Sequence, residues 1–167
     1  MAFRYKKSMN ANQGPVLEKF TITDSQVISV GEAVKLASGK LVTWGAGGAG
    51  LGIVHAIVNA DGSPVTTDGA GGAFSGTYTA GSSNTVCALV DSSKASVYSV
   101  TQDAALGTTT GSGLAGYNTD LVATSDQLDE STTVSTTASF VIRGVDNDPL
   151  APANSVLVSI QESQIDL

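Results

Sequence analysis

The residues of this chain that could do chemistry are few and far apart. His55 and Cys87 are each the sole residue of their type, and a thiol nucleophile with an imidazole base works only if the two meet in space. Both lie inside apolar runs, Ile53–Val58 and Val86–Val90, where a packed strand makes the thiol inert and the imidazole a satisfied structural group. Zinc would have to take its remaining ligands from carboxylates. Acids cluster at Asp126, Asp129 and Glu130, and again at Asp146 and Asp148. Such pairs could hydrolyse a glycoside or hold calcium, but sugar clefts are lined with aromatics and only 5% of this chain is aromatic. The calcium pattern D-x-[DN]-x-[DN]-G is absent as well, so solvated turns are the expectation for both clusters.

Gly45-Ala46-Gly47-Gly48-Ala49-Gly50 fits the dinucleotide fingerprint G-x-G-x-x-G and follows a predicted strand, Lys40–Trp44. The fingerprint also requires a helix to receive the pyrophosphate, and Leu51–Asn59 is β-branched with period two. Gly111-Ser112-Gly113-Leu114-Ala115-Gly116 matches the same pattern in another loop, which marks both as products of glycine abundance. The sequence therefore predicts no enzyme activity and no cofactor. One further stretch stands out: Phe3-Arg4-Tyr5-Lys6-Lys7 mixes aromatic and basic residues, a composition suited to an acidic or grooved protein partner. The plain alternative is a frayed terminus.

The elements that must position these residues follow from composition and period. The chain has 167 residues, 41% hydrophobic but only 14% charged, with 19 glycines. A helical bundle or coiled coil would need about half its residues from Ala, Glu, Lys, Leu and Arg, and disorder would need low hydrophobicity with high net charge. The net charge of -7 argues against a nucleic-acid partner. It is unevenly spread: residues 1–19 carry +3 and the remainder -10. No apolar run is long enough to cross a bilayer as a helix, no signal-peptide core follows Met1, and one cysteine cannot form an internal disulfide. The expectation is a chain made in the cytoplasm, without a membrane partner.

Period-two alternation recurs and sustained helical spacing does not. Strands are predicted around Phe20–Ile22, Ile28–Val30, Ala33–Ala37, Lys40–Trp44, Leu51–Ala60, Val86–Val90, Ser96–Thr101, Ala138–Arg143 and Val156–Gln161. Ser38-Gly39 and Asp61-Gly62 are turn signals, and a turn at 146–149 joins the last two strands. The runs Ile53–Val58 and Val86–Val90 are apolar on both faces and so belong in the interior of a sheet. The predicted fold is all-β: a compact β-barrel or β-sandwich of short strands, with long Gly/Ser/Thr-rich loops. Residues 1–15 are expected to form an extended N-terminal arm without an apolar face to fold against, and residues 16–167 the β domain. A C-terminal subdomain from about residue 117 is an open alternative.

The series Val30-Gly31-Glu32-Ala33-Val34-Lys35-Leu36 with Ser38-Gly39, then Leu51-Gly52-Ile53-Val54 running to Asn59-Ala60-Asp61-Gly62-Ser63-Pro64-Val65, resembles the head decoration, or cement, proteins of tailed bacteriophages. Thr85–Asp91, Ala105-Leu106-Gly107, Tyr117–Leu121, Phe140–Val145 and Asn154–Gln161 look like the second half of that family. The resemblance implies a structural virion protein, commonly a homotrimer, on the exterior of an icosahedral capsid. There it would bind the major capsid protein and stabilise contacts between capsomers. On that reading Phe3, Arg4, Tyr5, Lys6 and Lys7 are the expected capsid contacts. The rival is an adhesive or receptor-binding β module of a virion tail or cell surface, with Tyr78 and Tyr117 as its loop aromatics.

Overall fold

A computed structural model of the chain describes residues 3–10, 14–45, 49–102, 115–122, 127–129 and 139–161. It contains thirteen strands and no helix among those residues. All strand ladders are antiparallel, and no sheet closes into a barrel. The all-β prediction holds, and of its two architectures the sandwich-like one fits. The described residues fall into two units. One draws on 16–44 and 50–92; the other draws on 1–15, 45–49 and 93–165.

The unit made from 16–44 and 50–92 holds β2 (Leu17–Thr21), β3 (Val27–Ser29), β4 (Ala33–Ala37), β5 (Lys40–Thr43), β6 (Gly52–Val58), β7 (Thr77–Thr79) and β8 (Cys87–Asp91). A five-stranded sheet runs β2-β8-β6-β4-β5, and β3 pairs with β7 in a separate ribbon. The two layers share one core: Ile28 and Tyr78 from the ribbon pack with Val34, Leu41, Val54, Ile57, Ala88 and Val90 from the sheet. The doubly apolar strands β6 and β8 are interior, as their sequence demands. Ser38 and Gly39 both take positive φ, 52° and 78°, the geometry of the two-residue turn whose twist matches the β4–β5 hairpin.

The second unit holds β1 (Arg4–Ser8), β9 (Ser96–Thr101), β10 (Asn118–Leu121), β11 (Leu128–Asp129), β12 (Phe140–Val145) and β13 (Ser155–Ile160), in the order β1-β9-β13-β12-β10-β11. One face carries Tyr98, Val100, Val156, Val158, Ile160, Phe140 and Ile142, all buried. The register requires this grouping: Val158 lies opposite both Tyr98 and Ile142, and Phe140 lies opposite Ile160.

Two expectations are revised. The N-terminal segment is not a loose arm, because Arg4–Ser8 is a strand of this sheet, paired with β9 from Arg4 opposite Ser99 to Ser8 opposite Ser96. The apolar face that residues 1–15 lack locally is supplied by strands about ninety and more residues away. The chain passes between the units after Pro15, Trp44, Ala49 and Ser92, and no unit begins near residue 117.

Candidate functional site

Four of the five predicted contact residues, Arg4, Tyr5, Lys6 and Lys7, lie on strand β1 at the edge of a sheet and Phe3 immediately precedes it, and the five have different fates. Phe3 is only 3% exposed. Its ring stacks on Phe140 at 5.0 Å and meets Tyr98 edge-on at 6.2 Å, while Tyr5 also meets Tyr98 edge-on at 6.1 Å. Phe3 therefore belongs to the protein's own core and is not available to fill a partner's groove. Arg4 and Lys7 are exposed. No described strand pairs with the outer edge of β1, so backbone N–H and C=O groups there face outward.

Lys6 sits at an irregularity in the β1–β9 ladder, between Tyr5 and Lys7. A bulge re-aims the side chain it carries, and here the ammonium reaches Asp148 Oδ2 at 2.7 Å and Asp146 Oδ2 at 3.1 Å. The acids belong to the connection between β12 and β13. Their backbone positions are set by successive Asx turns, in which the Asp148 N–H donates to Asp146 Oδ1 and the Leu150 N–H to Asp148 Oδ1. The Asp148 contact, followed by the Asp146 contact, outweighs desolvation and holds the Lys6 ammonium above its usual range. Lys6 and the Leu150 N–H draw Asp148 down. Burial by itself would raise Asp146, but the Ser99 hydroxyl, the Asp148 N–H and Lys6 together leave it lowered.

The same connection lines a cavity of about 400 Å³, walled by Val145, Pro149, Ala151, Pro152 and Val156 and bordered by both acids. The sequence singled out Lys6 and the two acids separately. Nothing local signalled that they meet, since the partners stand 142 residues apart.

The remaining candidates take structural roles or fall outside the description. Cys87 lies opposite Val58, three residues along β6 from His55, a strand distance of about 10 Å. Cys87 is buried with Thr21 Oγ1 at 3.8 Å, whereas His55 is exposed, so the thiol and imidazole do not form a pair. Asp126 and Glu130 lie outside the described residues, and Asp129 sits on β11 opposite Asp120. Among the described residues no group of three or more His, Cys, Asp or Glu side chains is placed to hold a metal.

Of the first glycine-rich run Ala46, Gly47 and Gly48 lie outside the described residues, and Gly50, two residues before β6, packs under the Trp44 ring where a Cβ would collide. Of the second run only Ala115 and Gly116 are described, and they form a turn before β10. In the related segment Gly69–Ala73, the Asp68 carboxylate accepts the Ala70 and Gly72 N–H groups at 2.8 Å each, so the loop's own acid fills its nest of amides. Of the two loop aromatics proposed for an adhesin, Tyr78 is 9% exposed and packed in the core, and Tyr117 is 47% exposed. No protein-family model matches the chain, and no curated protein matches it.

Proposed function

We propose that this protein is a structural component of a virion, a head decoration protein that binds the outside of an icosahedral capsid and braces contacts between capsomers. The observation that carries the reading is the outer edge of β1. That edge, with which no described strand pairs and which carries the exposed cations Arg4 and Lys7, suits an extended acidic segment of the major capsid protein added as a further strand. Like charges would oppose each other if two such edges paired directly, so the edge favours an acidic partner over its own copy. The reading also rests on the resemblance, whose segment Ala105-Leu106-Gly107 lies outside the described residues and whose other segments fall on the β4–β5 hairpin, β6 with the turn at 59–63, β8, β10, β12 and β13. In this proposal the protein has no turnover of its own, acts as a homotrimer and resides on the capsid exterior.

Cosedimentation with intact shells tests the reading. The wild-type protein should pellet with shells and raise their resistance to heat or low salt. The double variant Arg4→Glu, Lys7→Glu should keep its fold and bind ten-fold or more weakly, about 1.4 kcal/mol. Wild-type protein that stays in the supernatant, or shells equally fragile with and without it, would overturn the proposal. Solution mass measurement checks the trimer, and a strict monomer both free and on the shell removes it.

A further inference from the structure

Every other described strand of the second unit comes from residues 96–160, and β1 joins them from the far end of the chain through a single ladder, to β9. Its attachment includes that ladder, the Phe3 ring on Phe140 and Tyr98, the Tyr5 ring on Tyr98, and the Lys6 ammonium on Asp146 and Asp148. All of these receiving groups lie on β9, β12 and the β12–β13 connection. None depends on which molecule supplies the strand.

We propose that β1 is an exchangeable strand: it leaves its own β9 and takes the same place on β9 of a second copy of this chain, with Lys6, Asp146 and Asp148 as the latch. Outright release is costly, because it strips Phe3 of its core and leaves Asp146, whose side chain is 5% exposed, without its counter-ion. Exchange restores each of these contacts in the second copy, which is why swapping of a terminal element is a low-cost route to association. The occupant is thus specified by complementarity on the page: an aromatic for the Phe140–Tyr98 face and an ammonium for the acid pair at the β1 spacing. Residues 9–16 join β1 to β2, and the Met9 N–H bond to the Ala95 carbonyl at the start of this connector belongs with the ladder that exchange rebuilds. Because the latch forms in both arrangements, it controls the rate of exchange, while protein concentration controls its extent. The inference concerns the free protein and stands apart from shell binding.

Ser8 and Ser96 lie opposite each other in the ladder, within the Cα separation that a disulfide spans in an antiparallel pair. In a Cys87→Ser background, Ser8→Cys with Ser96→Cys should give a compact cross-linked monomer when oxidised dilute. Oxidation after long incubation at high concentration should give covalent dimers or larger species on a non-reducing gel. Adding Lys6→Ala should bring the interchain product roughly ten-fold sooner, as for a barrier lowered by one decade in rate. As a second measurement, two mass-labelled preparations without engineered cysteines should form mixed oligomers by native mass spectrometry that the oxidised, intrachain-linked variant does not form, whereas ordinary subunit exchange would mix both. Cross-linked monomer alone at every concentration, with or without Lys6, overturns the proposal. So does the absence of any cross-link, since β1 then does not occupy β9, and so does a failure of labelled preparations to mix.

Discussion

Truncating the Phe3 ring separates a docked strand from a loose arm more sharply than any other single change. The ring is 3% exposed and makes face and edge contacts with Phe140 and Tyr98. Replacing a buried Phe by Ala costs about 3–5 kcal/mol, a range that includes the lost aromatic pairing. In a protein of this size each kcal/mol moves the melting temperature by roughly 2–4 °C, so Phe3→Ala should lower it by about 6–20 °C. The lower end applies if β1 undocks before the rest of its sheet, because the loss is then capped at the free energy that holds β1 in place. Calorimetry gives the shift, and amide hydrogen exchange at Tyr5–Ser8 and Ser96–Thr101 reports whether it is local or global. Deleting residues 2–9 should have at least the same effect. A Phe3→Ala protein that melts within about 2 °C of wild type, with unchanged exchange along β9, would refute the argument and return residues 1–15 to the status of an unattached arm.

Gly50→Ala places a methyl group in the Trp44 ring and should destabilise by about 1–3 kcal/mol, with a change in Trp fluorescence that an unstrained site would not show. Asp68 is held below the ordinary carboxylate range by the Ala70 and Gly72 N–H groups. Its contribution is therefore present above the unfolded pKa of about 3.9 and is lost as pH falls through the lower folded value. Asp68→Asn should flatten that part of the acid limb, and an unchanged pH–stability curve would count against it. Asp146 and Asp148 are also lowered and Lys6 is raised. The latch should hold across the neutral range, weaken as pH falls through the folded values of the acids, and weaken again as pH rises through the raised value of Lys6. Lys6→Ala should remove both limbs from the exchange rates of the β1 amides, and β1 protection that stays pH-dependent without Lys6 would assign the effect elsewhere.

The amino-acid sequence by itself determined what depends on neighbours along the chain. The all-β class follows from period-two alternation with glycine-rich breaks, and the β4–β5 hairpin from Ser38-Gly39, because a two-residue turn with positive φ is a local property. The interior position of β6 and β8 was legible because a strand apolar on both faces must be covered on both. Tertiary structure alone decided the rest. The basic, aromatic N-terminal segment shows no apolar partner within reach, so its local composition reads as an arm. It became β1 because β9 and β12 bring Tyr98 and Phe140 together some ninety residues or more away. Strand β9, Ser-Val-Tyr-Ser-Val-Thr, looks half polar, yet all six residues are buried, which alternation does not reveal because it records only the residue type. Asp146 and Asp148 read as solvated turn residues and Lys6 as a contact for a partner. Which of the many acids a lysine meets is set by strand order and a one-residue ladder irregularity, quantities that no local window contains.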